Sequence, residues 1–147
     1  MQGQKKGIFQ VFVVWIMIVF CTPVQAGLTE SILREHETHF RLLFDESPLG
    51  LFLFDAQGTI KSVNEQFVWL IGSSRELLIG LNTLQLPDQK IVKAIQESLA
   101  GGFGRYEGYY HSTTAEKVTP VRVLFAPIKD DSGSILGGLG VIEDISD

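Results

Sequence analysis

Between Leu49 and Gly80 the chain reads LGLFLFDAQGTIKSVNEQFVWLIGSSRELLIG, and this block limits the possible folds more than any other. Two short apolar runs are hinged on Asp55-Ala56-Gln57-Gly58, and two small helices follow at once. Leu49–Phe54 is apolar at nearly every position, the pattern of a strand covered on both faces. Gly58 stands where a tight turn needs positive φ, and Thr59–Val63 is the return strand. Asn64 is placed to cap a helix over Glu65–Ile71, with Glu65 at its positive end. Ser73-Ser74-Arg75-Glu76 has the spacing of a capping box, in which Ser73 and Glu76 satisfy each other's free backbone donors, and Gly80 stops the Leu77-Leu78-Ile79 run. Helices this short are not stable alone in water. They need a sheet to cover, and the cup between helices and sheet is a natural pocket. Because the block holds almost none of the side chains that do covalent or acid–base chemistry, it points to binding or sensing ahead of catalysis.

The remaining pattern supplies the rest of such a sheet. Thr29 can cap a helix from Glu30 to about Glu46, with Ile32, Leu33, His36, Phe40, Leu43 and Phe44 along one side, and Ser47-Pro48 ends it. That stripe fits either contact with the domain or a seam with a second copy. Pro87 opens a longer helix to Ala100, whose Ile91, Ile95 and Leu99 recur every four residues, and Gly101-Gly102 closes it. Arg105–His111 and Thr119–Pro127 are strands, the second alternating Val121, Val123 and Phe125 against Arg122, Leu124 and Ala126. Asp131-Ser132-Gly133 turns the chain into a last strand, Ile135–Asp144. On periodicity alone the class is α+β.

The first residues are of a different kind. Lys5 and Lys6 precede an apolar run from Ile8 to Phe20, then Thr22-Pro23-Val24-Gln25-Ala26-Gly27. Basic start, apolar run and small residues make a signal peptide, with cleavage expected between Ala26 and Gly27. The alternative is an uncleaved membrane anchor, although a span normally takes about 20 apolar residues. Either way the lysines stay inside and the rest is sent outward, so the expected location is extracytoplasmic, as a periplasmic, secreted or inner-membrane-anchored protein. Cys21 follows Phe20, where a lipidated cysteine wants a small residue, so lipidation is not expected. Loss of Met1–Ala26 removes two lysines and no acid, leaving a chain more acidic than the full sequence's net −5. Such a chain repels nucleic acid. It also lacks the only cysteine, and with it any disulfide or thiol chemistry.

The order of elements and three motifs together resemble a PAS domain over about Phe40 to Asp147. Asp55–Gly58 resembles the family's first hairpin. Asn64-Glu65-Gln66-Phe67 followed by Gly72–Gly80 resembles its N-x-x-F … G-Y-S-x-E-E-L-I-G segment, with Ser73 where tyrosine is common. Glu143-Asp144-Ile145-Ser146 resembles the Asp-Ile-Thr ending of the last strand. The resemblance implies a five-stranded antiparallel sheet with short helices on one face and an N-terminal flanking helix. The expected division is a signal peptide or anchor over 1–26, an amphipathic helix over 27–47 and a PAS domain over 48–147. It implies a sensor or interaction module in signal transduction, non-catalytic by itself, acting through a small ligand, a homodimer or both. Two alternatives stay open: the sensory front of a longer membrane receptor of histidine kinase or diguanylate cyclase type, and a purely structural dimerisation module. Asp144 and Ser146 match the positions that couple such domains to a downstream effector.

The cofactors of the family are tested by residue type. Haem-binding members use a histidine on the long helix, and Pro87–Ala100 has none; covalent haem also needs paired cysteines. Flavin light sensors carry Gly-x-Asn-Cys-Arg, which Gly80-Leu81-Asn82-Thr83-Leu84-Gln85 echoes with Thr83 in place of the cysteine, so a thiol adduct is impossible. No cofactor is expected, neither haem nor noncovalent flavin. His36-Glu37-Thr38-His39 is one residue short of the H-E-x-x-H zinc spacing, and a plain helix face explains it better. In this fold Phe67, Leu70, Leu84, Ile91, Ile95, Tyr106, Val123 and Phe125 would line the space between helices and sheet, either as pocket wall or as plain core. Arg105, Tyr106, Tyr109, Tyr110 and Arg122 could add polar groups, with strand alternation deciding which point inward. No serine or threonine has an evident paired base, so no catalytic residue is expected.

Overall fold

The computed structural model describes residues 23–147, with side chains from residue 29 onward. The expected signal segment therefore lies, up to Thr22, outside the described residues. Helix α1 covers Pro23–Asp45, so Thr29 lies inside the helix rather than capping it, and Ala26 and Gly27 are helical in backbone. A single glycine costs a helix only about 1 kcal/mol, too little for Gly27 to halt it. The described residues divide into two units between Leu42 and Leu43. Along α1, Ile32, Leu33 and Leu42 are exposed, and Glu37 and Arg41 pair one turn apart. Among the described residues no helix is long and apolar enough to cross a membrane.

The second unit holds a single sheet with helices on one face. Strands β1 (Gly50–Asp55) and β2 (Ile60–Val63) lead into helices α2 (Glu65–Ile71) and α3 (Arg75–Leu78), a 3-10 turn at Thr83–Gln85, and α4 (Gln89–Leu99). Strands β3 (Gly104–His111), β4 (Val118–Lys129) and β5 (Ile135–Asp144) complete it. All pairings are antiparallel in the order β2-β1-β5-β4-β3, which puts the last strand in the middle. The α+β arrangement expected from the sequence is thus the one observed.

Strand β1 is not equally covered on its two faces: Phe52 and Phe54 are buried beneath the helices, whereas Leu51 and Leu53, on the opposite face, are half-buried. The two phenylalanines lie across β5, whose Gly138 and Gly140 leave room for them. A Cβ on Gly140 would stand 2.2 Å from the Phe52 ring, and one on Gly138 would stand 2.3 Å from that of Phe54. Phe52 then stacks on Phe67 of α2, with centroids 4.6 Å apart, which fixes the helix layer over the sheet.

Two helix starts differ from expectation, one by one residue and the other by two. Gly72, in the left-handed conformation, ends α2, and the Ser73 N–H is drawn back onto the Val68 carbonyl. Ser73 therefore belongs to the end of α2, and Ser74 becomes the cap of α3, accepting from the Leu77 N–H. At α4 the cap is Asp88, whose Oδ1 accepts from the Lys90 N–H, so the helix begins at Gln89 and Pro87 stands before it. A carboxylate that can satisfy a free helix N–H outcompetes proline's preset φ.

Three aspartates hold turns. Asp55 Oδ1 accepts from the N–H groups of Gln57 and Thr59, Asp130 Oδ1 from the N–H groups of Ser132 and Ser134 and the Ser132 hydroxyl, and Asp144 Oδ1 from the N–H and hydroxyl of Ser146. These bonds, led respectively by those from Thr59, the Ser132 hydroxyl and the Ser146 hydroxyl, hold all three carboxyls below the usual carboxylate range. A folded pKa below the unfolded one gives stability that is present above about pH 4 and is lost as pH falls through the folded value. The melting temperature is therefore expected to fall as pH drops below about 4. A pH series of thermal melts checks this, and Asp55→Asn should make the acid limb shallower.

Candidate functional site

The helices do not fill the cup completely. A cavity of about 50 Å³ remains between α2, α3, the 3-10 turn, α4 and the sheet. Of the residues expected there, Phe67, Ile91, Ile95, Tyr106, Val123 and Phe125 line it. Leu70 is buried in the core away from the cavity wall, and Leu84 packs half-buried against the core from the 3-10 turn, where it approaches Gly58. The wall is completed by Tyr110, one of the polar candidates, and by residues not expected to line it: Phe52, Ile60, Val121 and Ile142 from the strands, and Ile71, Leu78, Leu81, Thr83 and Leu86 from the helical side. Their signal was present only as ordinary apolar periodicity, which marks core without separating wall from filling.

Each polar group at this wall has a partner. Thr83 Oγ1 donates to the Gly58 carbonyl at 2.6 Å. The Tyr106 hydroxyl donates to Asp88 Oδ2 at 3.1 Å, and burial together with that carboxylate pushes its pKa up to about 12. Burial raises the Tyr110 phenol as well, opposed by hydrogen bonding with Thr113. Strand alternation separates the five polar candidates: Tyr106 and Tyr110 turn toward the helices, while Arg105, Tyr109 and Arg122 are exposed on the other face. There Arg122 bridges Glu107 and Glu143 across β3, β4 and β5.

The cavity connects structurally to both ends of the unit. Asn64 is completely buried, and its Oδ1 accepts from the N–H groups of Leu51 (2.8 Å) and Phe67 (2.9 Å) while its Nδ2 donates to the carbonyls of Phe44 (2.8 Å) and Leu49 (3.0 Å). The last turn of α1, the start of β1 and the cavity-lining Phe67 thus meet on one side chain. At the other end Asp144 and Ser146 hydrogen-bond to each other, and the intervening Ile145 N–H donates to the Pro120 carbonyl at 3.0 Å. The segment after β5 is thereby tied to β4, next to the cavity-lining Val121.

Pockets for drug-sized ligands measure about 300–1,000 Å³, and this cavity about 50 Å³. No histidine lines it: His36 and His39 are on α1, and His111 ends β3. Among the described residues no three potential ligands stand close enough together to hold a metal ion.

Residues 48–147 match the family model described as PAS domain. Among solved structures, the PAS domain of a protein from Colwellia psychrerythraea superposes with a TM-score of 0.63 at 22% identity, covering 78% of this chain and 97% of that one. A domain of a sensory box sensor histidine kinase/response regulator from Geobacter sulfurreducens gives 0.61 at 22% identity, covering 76% and 96%. The Vibrio cholerae VqmA dimer, a LuxR-type receptor, gives 0.60 at 18% identity, covering 75% of this chain and 52% of that one. No curated protein matches the chain.

Proposed function

This chain belongs to the PAS domain family, and from that premise we propose that it is a non-catalytic sensory module that takes a small, largely apolar ligand between its helices and its sheet. The cavity carries this reading. A packed interior leaves few voids, and this one is closed by two short helices and a turn over the sheet. The absence of a paired nucleophile and base from its wall supports a binding role over catalysis. Occupancy would press on Phe67 and Val121, and through Asn64 and the Ile145–Pro120 bond would reach α1 and the end of β5. There Asp144 and Ser146 would pass the change to a downstream effector. A homodimer is the proposed assembly, as VqmA is a dimer, and a sensor kinase is one context in which such a domain occurs. Lys5, Lys6 and the apolar run after them support an extracytoplasmic place for the ligand-binding unit. Neither haem nor flavin is part of the proposal.

Filling the cavity tests it. Val123→Leu adds one methylene to the wall at the void and is expected to leave the melting temperature equal or higher, a gain of about 0.5–1 kcal/mol at most. It should also abolish the rise in melting temperature that small apolar compounds such as hexan-1-ol produce in the parent chain. An unchanged response in the Leu variant would place binding elsewhere.

A further inference from the structure

Outside the cavity lies a cleft of about 310 Å³ lined by Leu86, Pro87, Asp88, Tyr110, His111 and Thr113. Leu86 and Tyr110 line both spaces, so the two adjoin at those side chains. Asp88 is the one carboxylate of the cleft. It stands a single hydrogen bond from the cavity wall, through the Tyr106 hydroxyl. A carboxylate offers about four acceptor positions, and here one oxygen takes the Lys90 N–H and the other the Tyr106 hydroxyl. Acceptor capacity is therefore left facing the cleft, with no lysine or arginine among the residues that line it.

We propose that cavity and cleft form one site for a small amphiphilic cation, whose apolar tail passes between Leu86 and Tyr110 into the cavity and whose primary ammonium group joins the Tyr106 hydroxyl on Asp88. This rests on the ligand-binding reading above and adds the chemistry of the head group. The apolar wall supplies affinity without discrimination, since every polar atom on it is already bonded. Discrimination comes from Asp88, which attracts an ammonium, accepts from a hydroxyl and repels a carboxylate. The ammonium stays half in water in the cleft, so it is not fully desolvated. Entry of the tail needs a turn of the half-buried Tyr110 ring and a small shift of the segment before α4, in which Leu86 is buried and Pro87 exposed.

The test compares hexylamine, hexan-1-ol and hexanoate by thermal melts of the full chain, parent and Asp88→Asn. Asparagine caps helices as well as aspartate, so the variant is expected to keep the fold. Half-maximal stabilisation by hexylamine is expected at a concentration about fivefold below that for hexan-1-ol, the scale of a half-exposed charge-assisted contact, with no response to hexanoate. In Asp88→Asn the amine should fall to the level of the alcohol. A response to the alcohol with no advantage for the amine, or an advantage that survives Asp88→Asn, overturns the head-group assignment and leaves the cavity reading standing. Silence from all three compounds overturns both.

Discussion

Replacing Asn64 by alanine is expected to lower the stability of the Leu43–Asp147 unit by about 3–5 kcal/mol, a large share of the roughly 5–15 kcal/mol that holds a natural domain folded. One side chain serves two backbone donors and two backbone acceptors, all far from it in sequence except the Phe67 N–H. Alanine leaves those groups without it in a dry interior, where each costs about 1–3 kcal/mol if no water replaces the side chain, and it removes the cap of α2 as well. The sharper variant is Asn64→Asp. Aspartate is an equally good helix cap in general, but here it would present acceptors to the Phe44 and Leu49 carbonyls and bury a charge. Urea unfolding should therefore find Asn64→Asp no better than Asn64→Ala. A mild loss for aspartate would mean that capping alone explains the residue.

That contrast shows what the sequence could and could not say. The cap function of Asn64 is legible because it depends on the next three residues. Its two donated bonds are not, because they depend on where α1 ends and how β1 enters the sheet. The same boundary runs through the rest of the domain. Local chemistry located Gly58 and every strand to within a few residues. It assigned the cap of α3 to Ser73 from the capping-box spacing, whereas Ser74 takes that place because the Ser73 N–H is claimed by the end of the preceding helix. The glycines of β5 carried no readable meaning until Phe52 and Phe54 were seen to lie across them. Of the candidate site, six residues meet at one cavity because they share the inner face of the sheet or the inner stripe of a helix. Leu70 and Leu84 share the apolar character but not the position. The cleft with Asp88 was not legible at all, since it arises from the meeting of a helix cap with the end of a strand.

Gly104→Ala is expected to cost about 3 kcal/mol, the upper range for overpacking a core. A Cβ at Gly104 would stand 1.8 Å from the Ala94 carbonyl oxygen and 2.5 Å from its carbon, so the obstacle is the backbone of α4 itself. Unlike a side chain, that backbone has no rotamer to turn. The whole helix must rise from β3, and with it Ile91 and Ile95 leave the cavity wall. Gly108→Ala is the control on the same strand: its Cβ would meet the Tyr106 hydroxyl at 2.9 Å, the far end of a side chain that can swing. The control should therefore lose about 1 kcal/mol or less while disturbing the Tyr106–Asp88 bond. Thermal melts of the two variants separate the effects. Gly104→Ala should lower the melting temperature and blunt the response to hexan-1-ol, because the tail then faces a gap open to water. Gly108→Ala should keep more of that response, since it disturbs only the Tyr106 end of the wall and leaves Ile91 and Ile95 in place. Equal losses from both would show that α4 does not rest directly on β3, and the cavity between them would lose its rigid floor.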